Sequence, residues 1–318
     1  VSTRETAEAS LIEALQPDKL VDLGDERYAA QTVDDVTAYT VKRLSDVAPE
    51  TMNPEAVGRL LARSAADSGE GAFLLARIVT AQLRETPIDT TREGWEQELA
   101  TAVDAAFERD LSRIDPLIRD GQALPHAGRE LLSALAWGYG AGMPRDIWAI
   151  AATSLSPTQT VYTSEDVLWL LENAGRYVIE AGASGRAVYR LAHQRLADHF
   201  LPSRRIDHIE PEAARLAAAL VAHYIDLLDA GARPEDPAYL WNYVWRHGAD
   251  GGKRGVDALR QLAARSPRAF RPHLALGLNQ LANSLGEVGR RLEAVKPNEE
   301  AVDLWRTQAA GELRHPPN

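Results

Sequence analysis

The chain has 318 residues, 45% of them hydrophobic and 25% charged, a length that implies two or three compact units rather than one core. Its net charge of -11 argues against a generic binder of nucleic acid or of an anionic membrane, and the absence of cysteine excludes disulfides and thiolate metal sites. No apolar run nears the roughly 20 residues that cross a bilayer, and VSTRETAEAS lacks the apolar core of a signal peptide, so a cytoplasmic protein with no membrane partner is expected. The opening Val in place of Met reads as a chain cut from a longer one.

In chain order, LVDL at 20–23 is the one short strand signal of the first quarter. Helices follow. In TVDDVTAYTVKRLS the spacing puts Val33, Val36, Tyr39 and Leu44 near one face, with Thr32 and Asp35 at capping-box positions. In NPEAVGRLLARSAADSG, Asn53 is the expected N-cap, Pro54 suits the first turn, and Gly69 closes the helix. GAFLLARIVTAQL is apolar almost all round and predicts a buried helix, whereas WEQELATAVDAAFERDLSRI predicts a longer one with a charged outer face.

After Pro125, RELLSALAWGYG, PRDIWAIAATSL and SEDVLWLLENAG predict three short helices. RYVIEAGASGRAVYRLA then predicts two strand arms about a Gly-Ala-Ser-Gly turn, and three helices followed by a hairpin is the layout of a winged helix. Helical periodicity resumes in AARLAAALVAHYIDLLDAG, AYLWNYVWRHGADGG and VDALRQLAARS. In LALGLNQLANSLGEVGRRLEAVKPNEEAVDLWRTQ, residues Leu281, Ala282, Gly289, Ala294 and Ala301 fall at tetratricopeptide spacing, with small residues expected where two helices cross closely. Pro297 departs from that pattern, because an interior proline costs a helix about 3 kcal/mol.

The stretch YRLAHQRLADHF, residues 189–200, concentrates the titratable groups. His193 and His199 are six apart, about 240° around a helix, so they cannot share a metal in the way an i, i+4 pair does. Periodicity places His193 on a stripe with Leu196, Ala197 and Phe200 and reads it as an interior histidine. The glycine clusters GEG (69–71) and GYGAG (138–142) follow no strand, and GxxxxGK[ST], GxSxG and HExxH are absent, so no catalytic residue is assigned. SEDVLWLLENAG, the third helix of the winged-helix layout, carries Glu165, Asp166 and Glu172. It would be repelled by phosphates, so DNA readout is not expected.

In their order these parts resemble the signal-transducing P-loop ATPases with multiple domains, the STAND family, which includes the NACHT and NB-ARC switches. VSTRE resembles the end of the first-sensor strand, which implies that Arg4 faces the terminal phosphate. LVDLGDERYAAQTVDDVTAYTVKRL resembles the last core strand and the entry into the lid. GEGAFLLARIV resembles the lid helix, which implies adenine-side contacts for Gly71, Phe73 and Leu74, although the proline of the NB-ARC version is missing. YRLAHQRLADHF resembles the winged-helix segment whose histidine touches the β-phosphate of ADP, a role that falls on His193. RPHLALGLNQLANSLGEVGRRLEA resembles the start of the repeat array of actinobacterial members.

The resemblance implies a mainly α chain in five parts. These are a remnant of the ATPase core (1–24), a helical lid (25–122), a winged helix with a β-hairpin wing (123–205), a helical connector (206–265) and a tetratricopeptide-like hairpin (266–318). It further implies a regulatory, protein-interacting portion of the switch, with no cofactor of its own and no turnover. ADP or ATP with Mg²⁺ would be held in a longer protein, by a P-loop core that these 318 residues do not contain. The expected partners are that core and a protein bound by the C-terminal helices. Two other readings stay open: a winged-helix transcription regulator on DNA, and a tetratricopeptide scaffold that binds a peptide.

Overall fold

The computed structural model describes residues 29–66, 72–201 and 206–314. The chain is mainly helical, with short antiparallel hairpins, as the periodicity predicts. It divides into two compact units. One holds the described residues up to Gly142 together with Glu165–Leu201, and the other holds Met143–Ser164 with the described residues after Pro202. The expected strand at 20–23 and the helix end at Gly69 lie outside the described residues.

The first unit opens with four helices: α1 (Ala29–Leu44), α2 (Pro54–Ala66), α3 (Ala72–Glu85) and α4 (Trp95–Leu111). Asn53 caps α2 as expected, its Oδ1 accepting from the backbone N–H groups of Glu55 and Ala56 at 3.0 and 3.2 Å. Thr32 does not cap α1. The helix already runs from Ala29, so Thr32 and Asp35 are interior positions. Val36, Ala62, Ala72 and Ala76 form one cluster from α1, α2 and α3, with Val33 and Tyr39 packed against it. The buried residues of α4 are Leu99, Val103, Ala106, Phe107 and Leu111, an i, i+4, i+7, i+8, i+12 pattern that leaves its charged face outward.

A two-stranded hairpin follows, β1 (Leu117–Arg119) and β2 (Gln122–Leu124), joined by Asp120-Gly121 with φ of 50° and 77°. Positive φ at both central residues is the turn geometry that matches strand twist. The expected boundary between lid and winged helix, at 122–123, falls inside this hairpin. Beyond it the unit contains α5 (Ala127–Leu135), α7 (Ser164–Ala174) and the hairpin β3 (Val178–Ala183) with β4 (Arg186–Leu191), closed by α8 (Gln194–Phe200). The register pairs Val178 with Leu191 and Ala183 with Arg186, so the turn is Ser184-Gly185 inside the expected segment. Gly142 lies against β4. A Cβ there would stand 2.3 Å from the Tyr189 carbonyl oxygen, and its φ of 130° is hostile to any side chain.

In the second unit α6 (Arg145–Leu155) packs on α9 (Ile206–Asp229), with Trp148 fully buried. Helices α10 (Ala238–Asp250), α11 (Gly252–Arg265) and α12 (Pro267–Glu287) continue the stack, and α13 (Arg291–Arg314) lies along α12. Tyr224 on α9 meets Phe270 on α12 edge to face at 5.1 Å. His247 donates or accepts at Tyr239, 3.0 Å away, and His273 faces the Trp241 carbonyl at 2.7 Å. Leu281, Ala282 and Ala301 are buried, and Ala294 is half-buried. Gly289 is different. It is exposed at φ 82° with nothing within 4 Å of a Cβ, so it is there for a left-handed turn after α12 and not for a close helix crossing.

Candidate functional site at His193

His193 leaves β4 with an extended backbone, φ -151° and ψ 137°, and forms the N-cap of α8. The approach is pinned by the N–H of Ala192 donating to the Tyr177 carbonyl at 2.7 Å. The His193 carbonyl accepts the first helical bond, from Leu196 at 3.0 Å, and its Nδ1 accepts from the backbone N–H of Arg195 at 3.0 Å. The helical stripe with Leu196, Ala197 and Phe200 therefore does not describe it. His193 precedes the helix, and it is buried because the cap turns its ring inward, leaving 2% exposed.

The cap sets the ring's chemistry. Burial holds the imidazole down to about 4, with the positive charge of Arg195 acting in the same direction and Asp198 opposing, so the ring is neutral at pH 7. A neutral imidazole that accepts at Nδ1 carries its proton on Nε2. That Nε2 is buried and finds no acceptor among the described residues. An unanswered buried donor costs about 1–3 kcal/mol, so this position is an oxygen-seeking one.

The other histidine of the stretch does different work. His199 projects from the end of α8 toward α4, with Nδ1 3.2 Å from Asp104 and Nε2 2.8 Å from Glu108. Its ring lies beside Phe107 and Phe200, and Glu108 also accepts from Arg129 on α5 at 2.5 Å. Glu108 is held below the ordinary range by Arg129 and His199, against the raising effect of its partial burial. Next to this seam Tyr177 donates its hydroxyl to Asp110, and burial with that carboxylate pushes the phenol up. These ties join α4 to α8 and to the start of β3. None was visible in the sequence, because each joins residues far apart along the chain.

Arg4 and Gly71 lie outside the described residues. Phe73 and Leu74 are in the first turn of α3. The Phe73 ring is 48% exposed and meets Tyr39 edge-on at 6.0 Å, and Leu74 is half-buried. No hydrogen bond or ring contact joins either of them to His193 among the described residues. On α7, Asp166 is buried and paired with Arg119 at 3.3 Å, so one of the three acids of the expected third helix is committed to the fold. The repeat residues Leu281, Ala282 and Ala301 form a packing seam and carry no reactive group.

No protein-family model matches the chain, and neither a curated protein nor a solved structure matches it.

Proposed function

We propose that the chain is the regulatory and protein-interaction portion of a STAND-type ATPase switch, with His193 as its nucleotide sensor. The observation that carries the reading is the buried, acceptor-less Nε2–H of His193, held by a cap that leaves the ring no other tautomer. A phosphate oxygen of ADP would satisfy that donor in the closed state only. Such a state-specific contact can bias a two-state equilibrium.

The order of three helices, hairpin and capped helix supports a winged-helix assignment of this region, and the α12–α13 pair supports a tetratricopeptide-like one. The partner surface is carried by α13, where Leu292, Val295, Val302 and Trp305 stand 92, 50, 39 and 39% exposed. By helical spacing they fall on one side of the helix, interrupted by Glu299 and Arg306, and exposed apolar residues so grouped suit a protein partner. The acids of α7 count against the DNA reading.

The chain by itself is expected to turn over no ATP, since no Walker motif occurs in it. The test is ADP retention by a longer protein that includes a P-loop core, compared between wild type and His193→Asn. Equal retention would remove His193 from the nucleotide site. ATP turnover by the 318 residues alone, lost on a point change within them, would remove the whole assignment.

A further inference from the structure

The C-terminal halves of α3 and α4 leave between them a cleft of about 200 Å3 that the nucleotide reading does not use. Its charged lining is Arg77 and Glu85 from α3, Arg109 and Asp110 from α4, and Arg113 from the turn just after α4. Both acids are already answered. Glu85 pairs with Arg109, and Asp110 accepts from the Tyr177 hydroxyl and sits 3.4 Å from Arg176. The exposed guanidinium groups of Arg77 and Arg113 pair with no acid among the described residues. Two uncommitted cations therefore flank a concave site whose carboxylates are neutralised.

The floor supplies a second, independent signal. Gln82, 8% exposed, lines the same cleft, and its Oε1 is buried without any donor. The cleft thus offers donors at its rim and one orphaned acceptor inside. A ligand that answers both must carry an anionic group and also an O–H or N–H of its own. The cavity is smaller than the roughly 300–1,000 Å3 of drug-sized sites, which limits the ligand to a handful of heavy atoms.

We propose that this cleft binds hydrogen phosphate or a small phosphate monoester bearing a free hydroxyl. Arg77 and Arg113 take the phosphate oxygens in charge-assisted hydrogen bonds. The remaining P–O–H or carbon-borne hydroxyl donates to Oε1 of Gln82. The assignment stands apart from the nucleotide reading of His193, because it uses later turns of α3 and none of the same residues.

Sulfate is the decisive probe, since at neutral pH it matches phosphate in shape and charge but has no proton to donate. Calorimetric titration of the 318-residue chain in low salt would compare inorganic phosphate, glycerol 3-phosphate, sulfate and glycerol. We expect saturable binding of inorganic phosphate or glycerol 3-phosphate at one site, with sulfate roughly tenfold weaker or worse and glycerol silent. Tighter binding of inorganic phosphate would point to the free ion, and tighter binding of glycerol 3-phosphate to a phosphorylated metabolite; either supports the site. Arg113→Gln and Arg77→Gln, both at exposed positions, should each weaken binding by about tenfold with unchanged thermal melts. Gln82→Leu should fold at least as well as wild type and bind phosphate no better than sulfate. Sulfate binding as tightly as phosphate to the wild type, or no saturation up to about 10 mM, would overturn the proposal. So would an Arg113→Gln chain that binds unchanged, or binding confined to a phosphoserine peptide.

Discussion

His193 Nδ1 and the backbone nitrogen of Arg195 lie 3.0 Å apart, and this single bond decides which way the imidazole presents its proton. A serine or aspartate would cap α8 as well or better. What histidine adds is a second nitrogen, Nε2, which the fold leaves unanswered. Two substitutions separate the two jobs. His193→Asn keeps a capping oxygen, and its shorter amide ends short of the Nε2 position, so its unfolding free energy should stay within about 1 kcal/mol of wild type. His193→Leu loses the cap as well and should cost about 1–2 kcal/mol more than the asparagine variant in urea unfolding. Equal stability of the two variants would mean that the cap bond contributes nothing.

Acid should destabilise the fold through its buried histidines. His193 and His247 are held by burial to about 4 and about 3, and His273 is lowered as well, all from an ordinary value of 6.5. Between pH 6.5 and about 4 the unfolded chain takes up protons that the folded chain refuses, so stability is complete above 6.5 and falls as pH falls. For His193 the gap corresponds to about 3 kcal/mol across that window. Urea midpoints at pH 7.5, 6 and 5 check the trend, and the fall should be shallower in His193→Asn. A midpoint independent of pH over this range would contradict the burial of these rings.

Gly142 is required by the backbone of β4. An alanine there would drive its methyl to within 2.3 Å of the Tyr189 carbonyl oxygen at φ 130°. Gly142→Ala should destabilise by about 3 kcal/mol or more, as steric strain of this kind does. Gly286→Ala serves as the control, because a Cβ at that helical position meets nothing within 4 Å, and it should stabilise by about 0.5–1 kcal/mol. Thermal melts of the two variants should move in opposite directions.

Pro297 lies within α13, which continues unbroken from Arg291 to Arg314. Its ring removes the amide that would donate to Glu293, so Pro297→Ala should stabilise α13 by up to about 3 kcal/mol and raise the melting temperature. A lower melting temperature would show that the proline is needed for the packing of this helix on α12.

Much of the architecture was legible where local chemistry sets it. The Asn53 cap, the Ser184-Gly185 hairpin turn and the buried stripes of α1 and α4 follow from periodicity and turn residues alone. The Asp120-Gly121 hairpin was equally readable as a turn, but its arms of three residues are too short to alternate visibly. His193 was assigned to the right side of the fold for the wrong reason. Helical spacing assumed a helix already begun, and histidine is a rare cap, so the start of α8 was hidden. The grip of His199 on Asp104 and Glu108, 95 and 91 residues away, is tertiary and leaves no local pattern. The cleft at Gln82 escaped for the same reason. Its glutamine and arginines look like an ordinary charged helix surface until two helices are brought side by side.

The most direct test of the central claim is the rate at which bound ADP leaves a longer protein that joins a P-loop core to these residues. With the donor of His193 closing on a phosphate oxygen, His193→Asn should release ADP about tenfold faster or more, while its unfolding curve stays close to wild type. Release at the wild-type rate by that well-folded variant would contradict the claim.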